Sequence, residues 1–202
     1  EGEPVGEEQP VTIGVKELTT AMAVLTGKLE QIPPAFSAKK ISGVRAHRLA
    51  RRGIEFQMQP TTVTVESFDL LAFDSPELDF RVVCSGGTYI RSLARDLGER
   101  LETGGHLVSL RRTRSGSFTL DGAIRTEVVT DEDIIPPERL FKHLTRIEVD
   151  EDGEEAIRNG RPVKCNDPHL PTESNVCIFN KRGALIAVAT PSRGWASPKV
   201  VL

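Results

Sequence analysis

Tyr89 and Arg91 follow a glycine pair at the point where a hydrophobic strand gives way to a helical pattern. A phenol both accepts and donates a proton, and a guanidinium is a permanent cation with a planar donor fork. Together they make a proton acceptor beside an anion clamp. The residues Cys84-Ser-Gly-Gly-Thr-Tyr-Ile-Arg-Ser-Leu-Ala-Arg-Asp-Leu-Gly98 specify how the pair is held. Phe80, Val82 and Cys84 alternate along one strand face over 79–84, and Ile90, Leu93, Ala94, Leu97 and Leu101 recur at helical spacing. The spacing predicts a helix over 88–101 with Tyr89 and Arg91 in its first turn. Gly86 and Gly87 permit a tight turn, or close approach to a ligand where a Cβ would collide. A plainer reading also fits: Tyr89 packed and Arg91 solvated, since a helix N-terminus gains nothing from a cation.

Two basic clusters flank this junction. Lys39, Lys40, Arg45, Arg48, Arg51 and Arg52 fall in 39–52 with no acid among them, and Arg111, Arg112 and Arg114 fall in 107–119, again without an acid. By contrast, 127–155 holds eleven acids against Arg139, Lys142 and Arg146. The net charge of −3 therefore hides a strong segregation. Phosphate recognition needs local positive potential, not a basic total, so these clusters are candidate RNA-phosphate contacts. His47, inside the first cluster, suits either stacking on a base or capping a loop.

The elements that must position these residues are legible in outline. A helix is predicted over 15–26, with Leu18, Met22 and Leu25 on one side, and an extended or looped stretch over 31–43 around Pro33-Pro34. Residues 44–52 read as a helix stopping at Gly53, its inner face made by Ala46, Leu49 and Ala50, with Arg45, Arg48 and Arg52 projecting together. Thr61–Leu71 alternates with one phase change and reads as a bulged strand. Leu107–Leu110 and Ser117–Leu120 read as extended. Further on, a helix is predicted from Glu148 to Asn159. A hairpin is predicted at Val176–Phe179 and Ala184–Val188, with a last strand at Lys199–Leu202.

A chain of 202 residues, 38% hydrophobic and 27% charged, suits one domain with a small module. No apolar run approaches a membrane span, and three cysteines without ligand spacing point to a reducing cytoplasm and away from structural zinc.

Cys84-Ser-Gly-Gly-Thr-Tyr-Ile-Arg91, followed by Gly105-His-Leu-Val-Ser-Leu-Arg-Arg-Thr-Arg-Ser-Gly-Ser-Phe118, strongly resembles the TruB family of tRNA pseudouridine synthases in its bacterial form. Gln31-Ile-Pro-Pro-Ala-Phe-Ser-Ala-Lys-Lys-Ile-Ser-Gly43 and Ala46-His-Arg-Leu-Ala-Arg-Arg-Gly53 match a second family block in the same order. The resemblance is good over residues 14–125 and weaker beyond. It implies an α+β fold: a mixed or antiparallel-sheet pseudouridine synthase catalytic domain, truncated at its N-terminus, over 1–145. A small PUA-like β-rich RNA-binding module follows over 146–202.

The resemblance further implies isomerisation of the T-loop uridine of tRNA to pseudouridine by base flipping, without metal or cofactor. Uracil must leave C1′, rotate, rejoin through C5, and lose the C5 proton. Tyr89 matches the residue that removes or relays that proton, and Arg91 the arginine that orients and keeps ionised the catalytic aspartate. Leu110 matches an apolar residue packing on the uracil. The family's aspartate lies in Gly-x-Leu-Asp-Pro, whereas the Leu-Asp pairs here, Leu78-Asp79 and Leu120-Asp121, precede Phe and Gly. The expectation is a C-terminal two-thirds of such an enzyme, inactive alone. Its partners would be the tRNA T-arm and no membrane, with the missing segment as a separate chain or otherwise a monomer. The alternative class is a catalytically dead RNA-binding module. Gly86 departs from a lysine common at that place, which bears on one phosphate contact and not on the catalytic assignment.

Overall fold

A computed structural model describes residues 11–165 and 174–202. The chain divides into two compact units, parting between Thr113 and Arg114.

In the first unit, helix α1 (Val15–Val24) begins after Gly14, whose N–H donates to the Glu17 carboxylate at 2.8 Å. Strand β1 (Gly27–Gln31) pairs antiparallel with β4 (Thr61–Asp74), and β4 with β5 (Glu77–Cys84), giving the order β1-β4-β5. The phase change in β4 is a true irregularity. The register slips between Val65 and Ser67, so Val65 and Phe68 both turn inward although three residues apart. Between β1 and β4 lie a two-residue-strand hairpin, β2 (Lys40–Ile41) and β3 (Val44–Arg45), and the short helix α2 (Ala46–Arg51). Ser42 and Gly43 turn that hairpin with φ of 48° and 84°, the two positive values a type I′ connection requires.

Helix α3 (Ile90–Arg100) packs with α1 on the three-stranded sheet. Leu18, Ala21, Met22 and Leu25 of the α1 region meet Val65, Phe68, Leu93 and Leu97, all buried. Phe68 and Phe80 add an edge-to-face contact at 5.1 Å between ring centroids. This core fixes α3 relative to β1. Tyr89 and Arg91 are held at that junction.

The second unit opens with a small hairpin, β6 (Arg114–Ser115) and β7 (Phe118–Thr119), and single-turn helical segments. In one of these, hydrogen bonds from the Thr130 N–H and hydroxyl hold the Asp133 carboxyl below its usual range. A five-stranded sheet follows: β8 (Thr145–Val149), β9 (Val163–Lys164), β10 (Val176–Asn180), β11 (Leu185–Ser192) and β12 (Trp195–Val201), in the order β8-β10-β11-β12-β9. Pairing is antiparallel except β8 with β10. Helix α4 (Glu151–Arg158) is capped by Asp150, which accepts the Gly153 N–H at 2.9 Å. One core of Ile157, Val163, Val176, Ile178, Ala187 and Ala196 lies between α4 and the sheet. Cys177, Phe179 and Leu185 form a second cluster with Phe141 and Leu144. Glu148 and Val149, expected in the helix, belong to β8 because β10 offers them a ladder; the helix starts only after the Asp150 cap.

Among the described residues no helix is long and apolar enough to cross a membrane.

Candidate active site and RNA-facing surface

Strand β5 ends at Cys84, and the turn that follows is held by its own hydroxyls. Ser85 Oγ accepts from the Thr64 N–H at 3.0 Å, and Thr88 Oγ1 donates to the Ser85 carbonyl at 2.9 Å. Gly87 adopts φ 86°, which accounts for one of the two glycines. Gly86 is different: its φ is not left-handed, and a Cβ there would meet nothing within 4 Å.

Tyr89 sits one residue ahead of its expected place. It is the N-cap of α3, with extended backbone (φ −95°, ψ 107°), not a first-turn residue. The cause is Gln31, whose side-chain amide takes both of its backbone groups. Gln31 Oε1 accepts the Tyr89 N–H at 2.8 Å, and Gln31 Nε2 donates to the Tyr89 carbonyl at 3.1 Å. That carbonyl also accepts the Leu93 N–H at 3.0 Å, closing the first turn. Tyr89 as a residue is half-buried.

Arg91 is exposed and donates Nη2 to the Phe36 carbonyl at 3.0 Å. It forms no ion pair among the described residues, which leaves the second Nη2–H, with Nε–H or Nη1–H beside it, for an incoming carboxylate. Ser92 Oγ and Arg95 Nη2 both donate to the Ile32 carbonyl, at 2.8 and 3.2 Å. The 31–36 stretch is thus stitched to the start of α3 at four places. Sequence reasoning does not single out Gln31 or Ser92. A glutamine and a serine carry no chemical signature, and only the two-fold clamp reveals them.

Leu110 is 63% exposed, in an irregular stretch rather than the predicted extended segment. Its neighbours Arg111 and Arg112 are exposed in the same stretch; Arg114, also exposed, belongs to the second unit.

In the first basic cluster, Lys40 and Arg45 stand opposite each other across the β2–β3 hairpin, and Arg48, Arg51 and Arg52 are exposed along and just after α2. Arg45 precedes α2 as its N-cap, with extended backbone, so the helical face spanning Arg45, Arg48 and Arg52 is not one continuous helix. Ala46 alone of the inner residues is fully buried; Leu49 and Ala50 are half-buried. Lys39 turns inward, donating Nζ to Thr61 Oγ1 and to the Gln59 carbonyl. Of the two roles open to His47, the loop contact is present. The ring Nδ1 lies 3.0 Å from the Ser37 carbonyl, which also accepts the His47 N–H at 3.1 Å.

Residues 1–90 match the family described as TruB family pseudouridylate synthase (N terminal domain), and 91–148 match the tRNA pseudouridylate synthase B C-terminal domain. A tRNA pseudouridine synthase B from Arthrobacter sp. (strain FB24) is 36% identical over 215 residues, covering 100% of this chain and 70% of that protein. The chain belongs to the TruB family. Proteins of the same description from Ralstonia pickettii (strain 12J) and Rhodococcus jostii (strain RHA1) are 37% and 41% identical. They cover 95% and 91% of this chain, which spans 63% and 65% of their lengths.

Among solved structures, this TruB family chain is similar to one in a Cbf5-Nop10-Gar1 complex. The TM-score is 0.64 at 21% identity, over 94% of this chain and 62% of that one. A chain of an H/ACA RNP bound to a substrate RNA containing 2′-deoxyuridine gives 0.62 at 19%, over 94% and 61%. At such identities the likeness concerns the fold, which is α+β.

Proposed function

We propose that the chain forms the tyrosine- and arginine-bearing part of an enzyme that isomerises the T-loop uridine of tRNA to pseudouridine. The observation that carries this reading is the placement of Tyr89 and Arg91. A half-buried tyrosine is fixed at the cap of α3, and the guanidinium two residues on keeps part of its donor fork open.

Glycosidic cleavage leaves a uracil that must turn and rejoin through C5, after which the C5 proton departs. In the proposed mechanism the Tyr89 phenolic oxygen receives or relays that proton, with Arg91 nearby to hold a carboxylate ionised against the sugar. That carboxylate comes from a Gly-x-Leu-Asp-Pro segment outside these 202 residues. Leu110 packs on the flipped uracil and excludes water, moving in from its exposed position when RNA binds. Arg48, Arg51, Arg52, Arg111 and Arg112 contact backbone phosphates. Such contacts set affinity and register without reading sequence. The functional boundary lies at about residue 145. Beyond it the β8–β12 sheet with α4 serves as a PUA-like RNA-binding module, in a protein working in the cytoplasm.

The test is tritium release from C5-labelled uridine in T-arm RNA. The 202-residue chain alone is expected to stay at the enzyme-free background, and turnover to appear once the carboxylate segment is supplied, in cis or as a second chain. Turnover by the chain alone overturns the assignment of the nucleophile. A second reading is an RNA-binding module without catalysis, for which the exposed arginines Arg48, Arg51 and Arg52, outside every ion pair among the described residues, would suffice. It predicts micromolar or tighter tRNA binding and no turnover under either condition.

A further inference from the structure

A tyrosine makes a poor helix cap, because its hydroxyl stands too far from the backbone to reach the N–H groups of the first turn. Tyr89 forms no side-chain cap bond. The work falls to Gln31, the last residue of β1, which is 3% exposed and in register with Thr61 of β4. Its amide presents one acceptor and one donor side by side, and these match the N–H and C=O of one extended residue. At 2.8 and 3.1 Å both matches are made on Tyr89. One residue further on, the Ile32 carbonyl accepts the hydroxyl of Ser92, itself 1% exposed. The end of β1 therefore grips α3 at residue 89 and again one turn later.

This arrangement fixes more than the helix end. Two hydrogen bonds to one residue's N–H and C=O fix the two peptide groups that flank its Cα, and so the direction of its Cα–Cβ bond. The phenol is then left with only two side-chain torsions. A buried amide used merely to fill volume would need neither bond. We propose that Gln31 is a positioning residue for Tyr89, aiming the phenol at the base by clamping its backbone. The proposal rests on Tyr89 being the proton-handling group described above.

The test compares Gln31→Met, Gln31→Glu, Tyr89→Phe and the double variant Gln31→Met/Tyr89→Phe, in the protein supplemented with the carboxylate segment. Gln31→Met keeps the volume and removes both bonds; Gln31→Glu keeps an acceptor for the Tyr89 N–H. Single-turnover rate at saturating RNA is expected to fall roughly 10- to 100-fold in Gln31→Met, with the dissociation constant within about threefold. Gln31→Glu should be at least as impaired as Gln31→Met, since its second carboxylate oxygen would face the Tyr89 carbonyl with no proton to share. The double variant should be no slower than Tyr89→Phe alone, since a lost aim costs nothing once the phenolic oxygen is gone. Losses that multiply would assign Gln31 a general structural role and overturn the proposal. So would wild-type turnover in Gln31→Met while Tyr89→Phe is inactive. Full activity in Tyr89→Phe instead sinks the reading of Tyr89 itself.

Tyr89 is the only tyrosine in the chain, so tyrosine labelled at Cζ alone gives a single resonance in the 202-residue protein. That signal should shift and broaden in Gln31→Met. Should that variant not fold, amide exchange at Tyr89 in the wild-type chain decides. Strong protection supports the clamp, and exchange at the rate of a free peptide rules it out.

Discussion

Gly98 and Gly104 approach so closely that a Cβ on Gly98 would stand 2.2 Å from the Gly104 carbonyl carbon. The chain leaving α3 doubles back on the helix's last turn, and the Gly98 carbonyl accepts the N–H groups of both Thr103 and Gly104, at 3.0 and 3.2 Å. Gly105 continues the close approach: its Cβ would lie 2.7 Å from the Ala94 carbonyl oxygen. This reversal launches the stretch that carries Leu110, Arg111 and Arg112. Because the clash is backbone on backbone, no rotamer relieves it. Gly98→Ala is expected to cost about 1–3 kcal/mol, read as a lowered urea midpoint at unchanged m-value.

Gly86 supplies the contrast. A side chain there enters open space from an ordinary backbone conformation. Gly86→Lys should leave stability within about 0.5 kcal/mol and tighten RNA binding by adding a cation beside Tyr89. A loss of stability comparable with that of Gly98→Ala would show that the turn after β5 is packed by something the open space does not suggest.

Tyr89→Phe should nearly abolish pseudouridine formation while leaving tRNA affinity within a few-fold, since it removes a proton acceptor and keeps the ring. Arg91→Lys should be severely impaired as well. An ammonium is a point donor, whereas the guanidinium spends one Nη2–H on the Phe36 carbonyl and still offers a planar pair of N–H groups to a carboxylate. Tritium release measures both. Retention of most activity by Tyr89→Phe would return Tyr89 to a packing role.

The sequence is most informative where local pattern and tertiary packing agree. Leu18, Met22, Leu93 and Leu97 are buried as their helical spacing requires, and the phase change in β4 coincides with its register slip. Legibility fails where the deciding partner is remote. Tyr89 leaves the helix because of a residue 58 positions away in sequence. Lys39 turns inward because Thr61 and the Gln59 carbonyl receive it, which no count of basic residues reveals. Arg45 looks helical from spacing, yet pairing with Lys40 across a two-residue turn claims it for a strand. β8 and β9 escape a reading of the sequence because each becomes a strand only through a ladder to β10 or β12.

The three thiols should separate by rate. Cys84 is half-buried, whereas Cys165 and Cys177 are buried in the second unit, and that burial pushes both of their pKa values up. A raised thiol pKa means less thiolate at a given pH, so both should alkylate slowly even at about pH 8. Iodoacetamide followed by mass spectrometry is expected to modify Cys84 first, with the rates converging in urea. Equal labelling of Cys177 in the folded protein would mean that the cluster with Phe141 and Leu144 opens readily.

Phosphate binding at α2 should affect affinity rather than chemistry. Arg48 and Arg51 lie in α2 and Arg52 caps it; all three are exposed and outside every ion pair among the described residues. Removing one arginine–phosphate interaction should reduce the slope of log K against log salt by roughly 0.7–0.9, so changing all three to Ala should flatten it by about two units. Single-turnover rate at saturating tRNA should barely move, because these side chains grip the backbone and leave the uracil alone. Lys39→Ala makes the internal comparison. Its ammonium is already committed to Thr61 and Gln59, so the substitution should lower stability while changing the salt slope far less than any one of the three arginines does. An unchanged slope in the triple variant would mean that this face meets solvent. The phosphates must then be held by Arg111, Arg112 or the second unit, and the same measurement on Arg111→Ala/Arg112→Ala would distinguish those two.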